Sequence, residues 1–436
     1  MSRSSFAEIR LGTEEAPEAV ETEPDRPFRI LLMGDFSGRS WRTDPPGHFT
    51  PRRIDRDNFD QVLDGMKVLV DVHGMALPFR ELEDFHPDRI YKSATVFRNL
   101  DDLLDRLAPP PRPAARSAPA SGLLDQIVSE QEPEPVSVED ADNLAAFVRR
   151  ITARHVVRED PDLQRREARR QEIAGELMRG ILLDPRMQAI EAAWRALFLL
   201  VHNLDTDGPL NLYALDITLP ELVREMDAVR EELIDKGPWG AIAANYGFGQ
   251  SETEAHALRL LAGLADSLRA PLVAEALLST SGAPNNAWRE LRRTSEARWI
   301  GLALPRFLLR LPYGKETSPI ESFPFEEMAG SEHGAYLWGN PAFAIAYLIG
   351  QSFLAHGWEL GRHLEHRLDG LPIHLYKEDG GAAAKPCAEI LMSRREIDSL
   401  LESGLMPLVS VKDEPAAILV RFQSIADPLA PLEGLG

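Results

Sequence analysis

Mixed α/β, with a partly parallel sheet, is the fold class the sequence predicts, and three observations predict it. Short apolar runs of about four to eight residues, bounded by glycine, proline or charge, recur along the chain. Between them lie segments whose apolar residues repeat at helical spacing. The two patterns alternate, as strands do when helices connect them across the faces of a sheet.

The first apolar run, Phe28-Arg-Ile-Leu-Leu-Met33, is stopped by Gly34 and reads as a buried strand. Asp57 to Met66 is helical through Phe59, Val62, Leu63 and Met66. Asp84-Phe-His-Pro-Asp88 is turn chemistry, and the helical pattern resumes from Ile90 to Leu107. Asp160 is placed to cap a charge-laced helix over Pro161 to Arg179, with proline suited to its first turn. Pro185 to Asn203 is the clearest helix: Met187, Ile190, Trp194, Leu197, Phe198 and Val201 share one face. Strands are expected at 211–218, 240–246, 271–278, 300–310, 389–392 and 416–422, and helices at 253–268 and 342–356.

These elements divide the chain. Residues 1–27 form an acidic arm with few apolar residues, in which Met1 to Arg26 carries seven acidic and three basic side chains, the reverse of a secretory leader. Residues 28–107 make a compact α/β segment. Residues 108–142 are a linker: five prolines within Pro109–Pro119 favour a stiff, extended spacer, and Glu130 to Asp142 holds six acidic residues and no basic one. Between the two stretches lies an apolar island, Leu123-Leu-Asp-Gln-Ile-Val128, of the kind that folds on a partner. Residues 143–424 form the larger α/β body, and 425–436 a tail.

The chain has 436 residues, with 48 Lys and Arg against 69 Asp and Glu, a net charge of −21. So acidic a surface repels nucleic-acid phosphate and anionic lipid, and neither is expected as a partner. One cysteine, Cys387, excludes an internal disulfide and a thiolate metal cage. No run of eighteen apolar residues is present, so no membrane span and a cytoplasmic location are expected.

Reactive constellations are weak. His363-Leu-Glu-His366 with His374 is the best metal candidate, but it lacks the i,i+4 pair of a zincin helix, and surface histidines around a Gly-Leu-Pro turn are the favoured reading. Gly34-Asp-Phe-Ser-Gly38 lacks the spacing and lysine of a phosphate loop, and Tyr246-Gly-Phe-Gly-Gln250 lacks the third glycine of a dinucleotide fingerprint. No catalytic, metal or cofactor residues are assigned, and a non-enzymatic protein is expected. More unusual is Arg298-Trp-Ile-Gly-Leu-Ala-Leu-Pro-Arg-Phe-Leu-Leu-Arg310, with three arginines in an apolar stretch. Arg298, Arg306 and Arg310 are either paired within the chain or placed at a subunit contact.

Three motifs, Gly34-Asp-Phe-Ser-Gly-Arg39, Ile54-Asp-Arg-Asp-Asn-Phe-Asp60 and Leu82-Glu-Asp-Phe-His-Pro-Asp88, resemble in order and spacing the small sheath subunit of type VI secretion systems (TssB/VipA). The second half resembles the large sheath subunit (TssC/VipB) in 183–195, 297–313, Tyr336-Leu-Trp-Gly-Asn-Pro-Ala342, Ser393-Arg-Arg-Glu396 and Gly404-Leu-Met-Pro-Leu408. The family-motif positions are Asp35, Phe36, Asp57 and Phe59 in the first set and Trp194, Arg195, Trp338 and Asn340 in the second.

The resemblance implies a fused small/large protomer of a contractile sheath, with two packed α/β lobes of phage-tail-sheath type, in a Gram-negative bacterium. It implies other sheath subunits or itself as partners, and an inner tube, a baseplate or a ClpV-like AAA+ disassembly ATPase as further ones. Leu123, Leu124, Asp125, Ile127 and Val128 occupy the place of the helix that ATPase grips. Family large subunits continue past the position of Ser424 with a strand-donating domain. An alternative expectation is therefore an accessory protein that caps the sheath, sets its length or sits at the baseplate.

Overall fold

The structure is a computed structural model that describes residues 26–42, 49–100, 163–249, 251–277, 286–328, 332–378 and 381–435. The expected arm (to residue 25), the linker with its 123–130 island and the start of the body lie outside the described residues.

The strands in chain order are β1 (Phe28–Gly34), β2 (Arg52–Ile54), β3 (Val68–Val72), β4 (Met75–Phe79), β5 (Leu210–Asp216), β6 (Ala241–Phe248), β7 (Leu272–Ala276), β8 (Ile300–Leu304), β9 (Phe307–Arg310), β10 (Leu337–Gly339), β11 (Arg367–Asp369), β12 (His374–Glu378), β13 (Gly381–Lys385), β14 (Leu405–Ser410) and β15 (Ala416–Leu419). Nine of them make one sheet in the order β11-β15-β14-β8-β7-β6-β1-β5-β2. Its six inner strands from β14 to β5 pair in parallel, while β2, β15 and β11 join antiparallel. Both rims are strands of only three residues, which limits unpaired backbone.

The outcome for the small segment is sharper than two lobes laid against each other. Its first strand is inside the sheet of the body, with Phe28–Gly34 matched residue for residue to Leu210–Asp216 on one side and Ile30–Met33 to Ala241–Ala244 on the other. Ile30 and Leu32 enter the core on one face, Leu31 and Met33 the core on the other. A strand buried on both faces must be apolar throughout, which is why this run does not alternate.

On the first face lie the helices Leu163–Leu182, Pro185–Asn203 and Pro341–His356. The last is buried almost all round, consistent with its nearly unbroken apolar sequence. The opposite face carries Leu219–Arg224, Met226–Lys236, Glu252–Leu268 and Asn286–Arg292. The helix Phe59–Gly65 and the β3–β4 hairpin pack into the first core. That hairpin turns on His73 and Gly74, both at positive φ, the two-residue geometry that suits the twist of paired strands.

Three expectations are corrected. The run 300–310 is two strands in two sheets, because Pro305 offers no N–H to continue the ladder and β9 leaves to pair with β10. Residues 389–392 form no strand: Glu389 N–H donates to the Arg306 carbonyl at 2.8 Å, then Ile390 and Leu391 turn out to solvent. The helical pattern from Ile90 is broken at Ala94, whose extended backbone separates Pro87–Ser93 from Thr95–Arg98. Beyond Ser424, Ile425, Leu432 and Leu435 are buried, and Ile425 N–H bonds to the Ile300 carbonyl, so this segment packs with the body.

Candidate functional site

Five of the eight residues that the motifs single out, Asp35, Phe36, Phe59, Trp194 and Arg195, converge on the junction between the first segment and the body. After β1 the chain must turn sharply across the end of the sheet. Asp35 makes this possible, its carboxylate accepting from the N–H groups of Gly38 (2.7 Å), Arg39 (2.9 Å) and Ser40 (2.7 Å). Gly38 has φ +81°, and a Cβ there would sit 2.6 Å from the Leu69 carbonyl oxygen, so only glycine fits. Asp216 at the end of β5 accepts from Phe36 and Ser37 N–H at 2.9 and 3.1 Å. Arg39 then clamps the body, pairing with Asp216 and, at 2.9 Å, with Glu221. Burial lifts Glu221, but bonds from Arg39 and Thr218 outweigh it and hold its carboxyl below the usual range.

Trp194, fully buried on the Pro185–Asn203 helix, donates its indole N–H to the Phe36 carbonyl at 2.8 Å. Phe36 and Phe59 meet its ring edge-on at 5.9 and 5.6 Å. Next to it, Arg56 donates to the carbonyls of Val201 and His202, closing the C-terminal end of that helix with a positive charge. In the third motif, Asp88 accepts from Glu321 and Ser322 N–H at 3.0 and 2.8 Å and His86 packs on Tyr313, while just beyond it Tyr91 packs on Phe323. All three motifs of the first segment thus end on the body.

A second layer supports the junction from below. Arg310 is buried and fully paired: it bonds Glu191 at 2.7 and 3.2 Å and Glu327 at 2.7 and 2.9 Å, and lies 4.4 Å over the Tyr313 ring. Arg195 bonds the same Glu191 at 2.7 Å and the Tyr313 hydroxyl at 2.9 Å. Burial opposes ionisation of Glu191, but the Arg310 and Arg195 charges prevail and its carboxyl stays below the usual range. Burial pushes the Tyr313 hydroxyl up to about 12.

Residues 8–136 match the VipA family of type VI secretion systems, and residues 278–426 match the VipB family's tail sheath N-terminal domain. The two matches together support a chain similar to type VI sheath proteins, small-subunit type first and large-subunit type second. A similar protein is the type VI secretion system sheath protein TssC1 of Pseudomonas aeruginosa, 32% identical over 282 residues, which are 55% of this chain and 57% of that one. The chain therefore spans little more than half the length of this curated relative. The family is one of structural sheath components.

Within this sheath-type chain the expected positions do not all fall in one place. Asp35, Phe36, Phe59, Trp194 and Arg195 meet at the junction, with Arg310 beneath them. Asp57 is exposed, and in its motif the working side chains are Asp55 and Asn58, which exchange side-chain to backbone bonds, together with Arg56. Trp338 and Asn340 lie elsewhere: Asn340 caps the Pro341–His356 helix through Ala342 N–H and donates to the Tyr246 carbonyl, while Trp338 stacks on His333. Arg306 pairs with Glu389 at 2.8 and 2.6 Å and is part exposed, and Arg298 is exposed.

His366 contacts the Leu419 carbonyl, His374 the Tyr336 hydroxyl, and the His363 ring lies against His356. Among the described residues no group of three His, Cys, Asp or Glu is placed to hold a metal, and no helix is long and apolar enough to cross a membrane. Burial raises the Cys387 thiol to about 11. Sequence reading missed Glu191, Asp216 and Glu327. A glutamate on the buried face of a helix, opposite arginines stranded in an apolar run, was the available signal.

Proposed function

We propose that this chain is a non-enzymatic structural protomer of a type VI sheath apparatus, in which a small-subunit-type and a large-subunit-type segment fold as one unit and take part together in sheath assembly and contraction. The observation that carries this reading is the seat of β1 between β5 and β6. A strand with two neighbours and two buried faces belongs to the core of the protomer and is not an exchangeable attachment. Joining the segments in one chain replaces an encounter between subunits by an effective concentration in about the millimolar range.

On this reading the partners are other sheath subunits or further copies of the chain, with an inner tube, a baseplate and a ClpV-like ATPase as further contacts. Arg298, exposed in the turn that precedes β8, is the arginine of the three that is free to serve a subunit contact. The island at Leu123, Leu124, Asp125, Ile127 and Val128 would be the ATPase handle, a role its aliphatic pattern supports.

Electron microscopy of the purified chain, alone and mixed with standard sheath subunits, tests the proposal. Density for the chain along the length of sheath-like tubes is the expected result. Particles found only at tube ends would replace the protomer reading by the capping one, and failure to associate with any sheath subunit would sink both. A protease site placed in the linker gives an independent check: the cleaved pieces should co-elute at micromolar concentration, and separation would contradict the shared core.

A further inference from the structure

At the carboxyl ends of β5, β1 and β6 the chain turns to opposite sides of the sheet, the position where open α/β sheets form a crevice. A cavity of about 200 Å³ lies there, walled by Asp35, Trp41, Ile190, Leu219, Pro220 and Asn245. It is smaller than the roughly 300 Å³ at which small-molecule sites begin, and matches one long side chain. Two of its walls are without partners among the described residues. Trp41, 45% exposed, has no ring or hydrogen-bond contact, and neither has the Asn245 amide. The third wall is the Asp35 carboxylate, held in place by three backbone N–H groups with lone-pair capacity remaining. Around it Asp216 and Glu221 share Arg39, while Arg42 turns a guanidinium N–H to the Ser37 carbonyl.

We propose that this crevice is a docking pocket for a single arginine or lysine side chain presented by a protein partner. An aromatic face, an amide oxygen and a carboxylate converging on a side-chain-sized space suit a guanidinium, which stacks on the indole while its N–H groups reach the two oxygens. A free anion would meet the Asp35 charge with no unpaired cation to hold it. Asp35, Ser40 and Trp41 come from the VipA-type segment, whereas Ile190, Leu219 and Asn245 come from the body. The pocket therefore exists only where the two are folded together, and a partner that uses it distinguishes the joined unit from either part. The inference does not depend on sheath assembly, because it is read on the isolated chain.

The full chain labelled with 5-fluorotryptophan provides the test, with the Trp41 fluorine resonance assigned through Trp41→Phe. Titration with the blocked tripeptide acetyl-Gly-Arg-Gly-amide should shift that resonance saturably at millimolar concentrations. Acetyl-Gly-Glu-Gly-amide should leave it unmoved. Asn245→Asp, isosteric and more acidic, should tighten binding about threefold to tenfold. Trp41→Ala, followed by calorimetry, should weaken it about threefold or more. Equal response to the two peptides, a linear shift without saturation, or an Asn245→Asp protein that binds no tighter would each overturn the proposal.

Discussion

Two arginine networks grow from one apolar run, and they differ in almost everything but chemistry. Arg310 sits beneath the segment junction with Glu191 and Glu327 and is sealed from water, with Tyr313 over it. Four residues earlier, Arg306 meets Glu389 and, at 3.9 Å, Glu275 near the carboxyl end of the inner strand β7, with its side chain 41% exposed. The first pair of carboxylates is bonded from several directions and Glu191 stays acidic. In the second, burial lifts Glu275 to about 7, because Arg306 is too far away to offset its desolvation and Glu389 adds repulsion. Burial with full pairing makes a fixed joint, while partial pairing leaves a proton to be gained or lost.

The largest expected effect lies at the joint. Trp194→Ala removes a fully buried indole and its bond to Phe36 and should destabilise by about 3–5 kcal/mol, read by denaturant unfolding. A loss below about 1 kcal/mol would mean that β1 is held without it. Arg310→Met leaves Glu327 and part of Glu191 buried without a cation, and should cost about 3–5 kcal/mol, towards the lower end because Arg195 still meets Glu191. If that variant matches the wild type in stability, the joint is not electrostatic.

The Glu275–Arg306 pair should respond to pH instead. Unfolded, Glu275 titrates at its ordinary 4.5; folded, it titrates at about 7. The folded state holds the extra proton, so this contribution is fully present below the unfolded value and is gone above about pH 7. Glu275→Gln should therefore equal the wild type near pH 4.5 and exceed it at pH 8, by at most about 3 kcal/mol. A pH-independent difference between the two proteins would refute the assignment. Smallest of all, Arg306→Ala should cost under about 1 kcal/mol near neutral pH, and less at high salt, as part-exposed pairs do.

Local signals made much of this legible from sequence. Asp184 and Pro185 mark the start of the Pro185–Asn203 helix, and the structure keeps both ends where the spacing put them. Phe28–Met33 was recognisable as a buried strand for want of polar alternation, but nothing local reveals that its neighbours are Leu210–Asp216 and Ala241–Phe248. Strand β14 and the Arg394–Glu402 helix escaped notice, the strand because Pro407 interrupts its pattern, the helix because exposed arginines and acids mask its few apolar positions. At the site, the resemblance pointed to Asp35 and Trp194. Asp35 serves backbone N–H groups three to five residues on, a local turn, whereas the carbonyl that Trp194 bonds belongs to Phe36, 158 residues away, and comes within reach only when the sheet closes.

The position of the first strand also sets an order of events during synthesis. Phe28–Gly34 leaves the ribosome before both strands that flank it, and the second of these ends at Phe248, more than two hundred residues later. At elongation rates of about 5–20 residues per second that interval is on the order of ten to forty seconds. Until residue 216 is made the seven-residue apolar segment has neither neighbour, and until residue 248 it lacks the second, so shielding the nascent segment over that interval would limit aggregation.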